Sequence, residues 1–270
     1  MAMSESRCRT ILITGVKGFI GHHLYNFLTE QGHEVHGIDN CSGLGWEDRD
    51  VPHEDCDITK DPLPHDDVDV VVHLAAKAGV RESWDPKHLR KYSDTNIKGT
   101  KRIFETYKNS RIFYASSSSV SDMKSPYAMT KFACEAMAPQ NAIGMRFFTV
   151  WGPQSRPDMF YRQLQEGNIG YLTTHTRDWL YVGDCVKAIY LLMRKTFISY
   201  QHFQRVYDIG YGTPKSVYDF AKEHAPEGVD INSIEFKNVE GESEETCADP
   251  TEIKRLGWKP GIPDDDFYVN

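Results

Sequence analysis

Residues 11–21 read Ile11-Leu12-Ile13-Thr14-Gly15-Val16-Lys17-Gly18-Phe19-Ile20-Gly21. A short apolar run of strand character ends in a turn whose glycines are spaced GxxGxxG. A helical pattern follows at once, with Ile20, Leu24, Phe27 and Leu28 on one face at a 3.6-residue period. Glycines so placed permit a tight turn, close approach of backbone to a pyrophosphate, and close packing of helix on strand. Alone, the pattern fits a purely structural turn equally well. Asp39, 24 residues beyond Gly15, ends the next strand, Glu34 to Asp39. A carboxylate near that spacing reaches the ribose hydroxyls of a dinucleotide and repels a 2′-phosphate, which favours NAD over NADP. An aspartate that merely shapes a turn would also fit there.

Working outward, Asp69 to Leu74, Arg111 to Ala115 and Ala142 to Val150 read as further strands. Helical patterns fill Pro86 to Lys108 and begin again near Tyr127. Strands separated by helices of this length predict an α/β fold with a doubly wound parallel (Rossmann) sheet. Past Gly152 the rhythm is irregular. A strand at Asp178 to Val182, a helix at Cys185 to Lys195 and a strand at Gln204 to Ile209 are expected to return to the sheet. The expected division is therefore a dinucleotide-binding domain over 1–152 with the returning segments at about 178–209. Residues 153–177 and 210–270 would form a small substrate lobe over the sheet's C-terminal edge, where open α/β sheets bind ligands.

Composition excludes several classes. The chain has 270 residues, of which 40% are hydrophobic and 26% charged, as in folded soluble proteins. No window approaches the ~18 apolar residues of a membrane span, and the polar stretch Met1 to Thr10 is not expected to be a secretory signal. A cytoplasmic protein is expected. Its six scattered cysteines then read as free thiols. His33 and His36 lack a nearby third ligand, so no metal site is expected. Of the net charge of −8, all is accounted for by Glu47 to Asp69, with 10 acids against 2 bases, which reads as a solvated loop face. With 29 acids and 29 bases elsewhere there is no broad basic face, and nucleic acid is not an expected partner. No GxSxG elbow or phosphate-binding GK[ST] loop occurs.

The chemistry is carried by Ser125-Pro126-Tyr127-Ala128-Met129-Thr130-Lys131. Tyr127 and Lys131 stand at i and i+4 on the start of a helix and share a face. A nearby ammonium favours the phenolate, and such a pair can take a proton from an alcohol while hydride leaves the same carbon. YxxxK in isolation also suits a solvated pair. Here it follows a strand that ends Ala115-Ser116-Ser117-Ser118-Ser119, with hydroxyls at the edge where a nicotinamide would lie. The glycine turn, ribose acid, strand-end serines and YxxxK together point to a redox site.

With these motifs the chain resembles the extended short-chain dehydrogenase/reductases, specifically the NAD-dependent sugar-nucleotide epimerase/dehydratase family, over most of residues 9 to 260. The resemblance extends to Cys56-Asp57-Ile58, His73-Leu74-Ala75-Ala76, Asn96, and Arg177-Asp178-Trp179-Leu180-Tyr181-Val182-Gly183-Asp184. It implies NAD contacts from Gly15, Gly18, Phe19, Ile20, Gly21, Asp39 and Asn40. The same role falls to Asp57, Ile58, Leu74, Ala75, Ala76, Ala115, Ser116, Tyr127, Lys131 and Phe148. It also implies catalysis by Ser117, Tyr127 and Lys131, and a sheet propped by Asn96.

Within the family, Ala78-Gly79-Val80-Arg81-Glu82-Ser83, Tyr114 to Val120 and Arg146 to Pro153 resemble UDP-glucuronate 4-epimerases, as does Arg156-Pro157-Asp158-Met159. Substrate contacts are then expected from Arg81, Ser83, Ser117, Ser118, Ser119, Tyr127, Thr149, Arg156 and Arg177. Ser118, Ser119, Thr149 and Arg156 would surround the sugar carboxylate, and Arg177 would grip the diphosphate. Arg156 as a solvated loop residue stays open. Ser118 and Ser119 stand where related dehydratases and decarboxylases carry an acid, which favours epimerisation. Alternatives are a UDP-glucose or UDP-N-acetylglucosamine 4-epimerase, a 4-ketosugar reductase, or a non-catalytic NAD-binding sensor. The resemblance implies a homodimer joined by the helices near Lys98 and Lys131. Three departures stand out: a short loop from Val120 to Ser125, Val239 where a second diphosphate-binding arginine is usual, and a compressed stretch from Met159 to Thr176.

Overall fold

A computed structural model describes residues 8–198, 203–239 and 241–261; the outermost parts of both expected domains, 1–7 and 262–270, lie outside them. In chain order, β1 (Thr10–Thr14) leads into α1 (Phe19–Glu30), followed by β2 (Glu34–Asp39), β3 (Glu54–Asp55) and β4 (Val70–His73). Next come α2 (Pro86–Tyr92), a π-helical turn (Ser93–Gly99) and α3 (Thr100–Thr106), then β5 (Arg111–Ser117), α4 (Pro126–Met137) and β6 (Ala142–Phe147). These strands, with a later β10 (Val206–Ile209), make a seven-stranded sheet in the order β10-β6-β5-β4-β1-β2-β3, every pairing parallel. The α/β doubly wound architecture expected from the alternation is the one observed.

Side chains along each central strand alternate between two cores. Ile11, Ile13, Val70, Val72 and Phe113 face one, where Leu24 and Leu28 of α1 cover them. Leu12, Val71, Ile112 and Tyr114 face the other, under Ile103 and Phe104 of α3 and Cys134 of α4. A sheet covered on both faces explains why its strands read as unbroken apolar runs. At the turn after β1, a methyl on Gly21 would lie 2.2 Å from the Gly15 carbonyl oxygen. Gly21→Ala should therefore destabilise the protein by about 1–3 kcal/mol through overpacking; the urea midpoint measures it.

The chain then adds β7 (Thr149–Trp151), α5 (Phe160–Gln165), β8 (Thr176–Arg177), β9 (Trp179–Tyr181) and α6 (Val182–Ile198) before β10. After it come β11 (Lys215–Ser216), α7 (Val217–His224) and α8 (Thr251–Arg255). Here the expectation needs correcting. Whereas α6 packs into the sheet's first core beside α1 and β10 joins the sheet, as expected, the strand at 178–182 does not return to it: β9 pairs with β7 in a separate two-stranded parallel sheet. The cause is Asp178, fully buried, whose carboxylate accepts the backbone N–H groups of Tyr211 (2.8 Å), Gly212 (2.7 Å) and Ala248 (3.1 Å). Ala142 to Val150 is likewise two strands, interrupted at Phe148, where the backbone changes partner: the Phe148 N–H donates to the Ile209 carbonyl at 3.2 Å and the Thr149 N–H to the Asp178 carbonyl at 3.0 Å. A third core, with Trp179 stacked on Phe220 at 3.7 Å and Leu164, Leu172 and Ile231 around them, holds the later segments together.

The acidic run is also not simply a solvated face. It contributes β3, buries Val51, Cys56 and Ile58, and carries Arg49 at 2% exposure. No helix among the described residues is long and apolar enough to cross a membrane.

Candidate active site

Because the strands are parallel, the C-terminal ends of β1, β2, β4 and β5 bring Thr14, Asp39, His73 and Ser117 to one edge. Two adjoining cavities of about 490 and 680 Å³ lie there, with Ser118, Thr149 and Asp158 lining both.

The first cavity holds the glycine turn and the Asp39 carboxylate. Gly15, Gly18, Phe19, Ile20 and Gly21 line it, as do Asp39, Asn40 and Ile58 from beyond β2, and Leu74, Ala75 and Ala76 after β4. Gly15 has φ +74°, and a Cβ there would meet the Ala75 nitrogen at 2.6 Å, so only glycine passes this crossing. Asp39 is anchored from both sides: Oδ2 accepts the Lys17 N–H at 2.9 Å and Oδ1 the Cys41 N–H at 2.8 Å. Burial pushes its pKa up, against the pull of those two hydrogen bonds. Each oxygen keeps a lone pair that a ribose hydroxyl can use, so the pocket suits a dinucleotide with free 2′- and 3′-hydroxyls. Asp39→Ala should narrow the preference for NAD over NADP by at least about tenfold, the worth of one hydrogen bond to a charged group. Titrating both cofactors into stripped protein measures it, and equal affinity in the unmodified chain would contradict the role.

Ala115, Ser116, Ser117, Tyr127, Lys131 and Phe148 line the same cavity. Ser125 caps α4, its Oγ accepting the Ala128 N–H at 3.1 Å, and Pro126 opens the first turn. One turn later, Lys131 is 4% exposed; Nζ donates to the Ala115 carbonyl at 2.8 Å and lies 5.9 Å from the Tyr127 ring centroid. Ser117 Oγ accepts the Ser119 N–H at 3.2 Å and lies 3.3 Å from Ser119 Oγ. Asn96, in the π-helical turn, accepts the Lys77 N–H and donates to the Lys77 carbonyl and to Thr130 Oγ1, tying the end of β4 to α4. His73 lies between Thr14 Oγ1 and Thr100 Oγ1 at 2.7 and 2.8 Å. Burial, helped by Lys131, lowers its pKa to about 3 and keeps it neutral.

Arg156 also lines the first cavity, and it is not a free loop arginine. Its Nε and Nη2 hold both oxygens of Asp158 at 2.9 and 3.0 Å. Burial opposes the guanidinium charge, but Asp158 more than offsets it and holds the pKa above its ordinary value. Arg81, Ser119 and Arg177 line the second cavity.

Two expected site residues are placed elsewhere. Asp57 lines neither cavity; its carboxylate accepts the Thr59 N–H and hydroxyl at 2.9 and 2.7 Å and closes its own turn. Ser83 is fully buried and donates to the Val80 carbonyl at 2.6 Å. Ser116, although it lines the cavity, donates its hydroxyl to Glu135 at 2.5 Å.

Other lining residues are not among those expected: Lys17, Arg49 and Lys77 in the first cavity, Glu242 in the second, and Glu82 and Asp158 in both. Arg49, a base inside an acidic run that reads as surface, is buried instead, and its guanidinium donates to the carbonyls of Lys17 (2.7 Å) and Gln154 (2.9 Å). Among the described residues one group could hold a metal, Cys41, His53 and Asp55, with ligand atoms within 4.8 Å of one another. Asp55 is highly exposed there, and neither His33 nor His36 takes part.

Residues 11–210 match the model of the NAD dependent epimerase/dehydratase family. The chain belongs to that family, and its cofactor is accordingly NAD. It is similar to YtcB of Bacillus subtilis, described as an uncharacterized UDP-glucose epimerase, at 34% identity over 68% of this chain and 72% of the relative. It is likewise similar to a UDP-glucuronate 4-epimerase of Thermodesulfobacterium geofontis, at 31% identity over 66% of this chain and 69% of the relative. Among solved structures, the UDP-glucuronic acid 4-epimerase of Bacillus cereus in complex with UDP-glucuronic acid and NAD superposes with a TM-score of 0.73. There the identity is 27%, over 95% of this chain and 96% of that one.

Proposed function

We propose that the protein is a cytoplasmic, homodimeric UDP-sugar 4-epimerase that acts on UDP-glucuronate by transient oxidation and re-reduction at C4. The observation that carries this reading is that Ser117, Tyr127, Lys131 and the Arg156–Asp158 pair line one cavity, which Asp39 and the glycine turn also line. Tyr127 takes the C4 hydroxyl proton, with the Lys131 ammonium stabilising the phenolate and Ser117 steadying the same oxygen. NAD, held by the glycine turn and Asp39, would supply the hydride chemistry at C4. The sugar turns over between the two transfers, and Tyr127 returns the proton. Asp158 holds Arg156 by one edge of the guanidinium, which leaves Nη1 for a uronate carboxylate beside the hydroxyls of Ser118, Ser119 and Thr149. Arg81 and Arg177 are placed for the diphosphate.

Met129 and Phe132 on α4 and Leu89 on α2 are exposed at 56, 45 and 41%, which supports a helical contact between two copies. Incubation with UDP-glucuronate, UDP-glucose and UDP-N-acetylglucosamine, followed by chromatography, tests the activity. Inversion of UDP-glucuronate is expected. Release of a 4-keto sugar with equivalent reduction of added NAD to NADH would instead be the reverse reaction of a 4-ketosugar reductase, and no conversion of any of the three would sink the epimerase reading.

A further inference from the structure

Arg81 and Arg177 do not present an open cation site. Glu242 lies between them: Oε1 is 2.5 Å from Arg81 Nε, and Oε2 is 3.3 Å from Arg177 Nη2. Arg177 Nη2 also donates to His175 Nδ1 at 2.9 Å, and Arg81 Nη1 to the Tyr171 hydroxyl at 3.0 Å. Glu242 and Arg177 are each 14% exposed at the side chain, yet all these groups line the second cavity together with Ser119 and Thr149.

The segment that delivers Glu242 is fixed on both sides. The Gly241 carbonyl accepts from Trp84 Nε1 at 3.4 Å, and the Ser243 hydroxyl donates to Asp122. Gly241 has φ +81°, and a Cβ there would meet Trp84 Nε1 at 2.7 Å. The backbone is therefore held, while the glutamate side chain keeps its own torsions. One carboxylate shared by two guanidiniums also leaves a net positive charge. Burial keeps Arg177 below its ordinary pKa in spite of Glu242.

We propose that Glu242 is an internal counter-ion occupying the diphosphate seat, and that a ligand diphosphate binds by displacing its side chain from Arg81 and Arg177. This rests on the nucleotide-sugar reading for the identity of the ligand but not for the displacement itself. Glu242 then determines affinity: part of the attraction of two arginines is spent on removing their resident partner. It also offsets the charge cost of burying Arg177, 14% exposed, in the unliganded protein, whereas Arg81 at 57% exposure carries little such cost.

The test uses NAD-saturated protein, so that the glycine turn is filled, and inorganic pyrophosphate as the probe, by calorimetry. Glu242→Gln and Glu242→Ala should each bind pyrophosphate at least about tenfold more tightly than the unmodified chain, the scale of one charge-assisted contact. Their melting temperatures without ligand should fall or hold, and the rise on adding pyrophosphate should grow. Unchanged or weaker binding in both folded variants would overturn the proposal, because Glu242 would then build the site rather than fill it. A parallel titration with UDP-glucuronate separates the two ideas. Failure of that ligand with pyrophosphate binding enhanced would remove the substrate reading and leave the displacement standing.

Discussion

Tyr127→Phe should lower turnover by about a thousandfold or more, within the range that one positioned proton carrier contributes, while NAD stays bound. The substitution removes one oxygen and leaves the ring, which packs edge-on to Tyr92 with centroids 6.1 Å apart. Lys131 keeps its hydrogen bond to the Ala115 carbonyl, so the neighbouring backbone has no cause to move. Cofactor content and turnover are measured on the same preparation. More than a few per cent of residual activity with full NAD occupancy would remove Tyr127 from the proton-transfer role.

Arg156→Leu should discriminate between substrates. It takes away the cation proposed for the uronate carboxylate and also leaves Asp158, its side chain 45% exposed, without its bidentate partner. An unpaired acid would then face an incoming acid. Losing one charge-assisted contact costs about 1.5–3 kcal/mol, so kcat/KM for UDP-glucuronate should fall by about ten- to a hundredfold. UDP-glucose, with a neutral hydroxymethyl group at C6, should lose far less. Both rates are taken on one preparation, and the melting temperature separates loss of recognition from loss of fold. Equal losses for the two substrates would end the uronate assignment and leave the chemistry of Ser117, Tyr127 and Lys131 intact.

What was legible in the sequence was local and periodic. The glycine turn, Asp39 at the end of β2, the buried runs of β1 and β4 and the i, i+4 pair on α4 each follow from the spacing of a few neighbouring residues, and the parallel, doubly wound architecture follows from their alternation. What escaped depends on where side-chain hydrogen bonds go. Asp57 and Ser83 bond to their own turns, a local competition that residue identity does not announce. Asp178 diverts β9 by gathering three backbone N–H groups from 33, 34 and 70 residues away. Glu242 meets Arg81 across 161 residues, a contact no short motif encodes. Arg49 lay hidden because a base within an acidic run reads as a surface residue, whereas its guanidinium caps two backbone carbonyls beside the glycine turn.

The central claim is that one hydride leaves C4 and returns to the same carbon. UDP-glucuronate carrying deuterium at C4, incubated with the protein without added NADH, tests it by mass spectrometry and NMR of the separated product. The account predicts UDP-galacturonate that retains deuterium at C4, with no net change in NADH absorbance. Loss of the label to solvent in a C4-inverted product, or recovery of UDP-glucuronate unconverted, would contradict it.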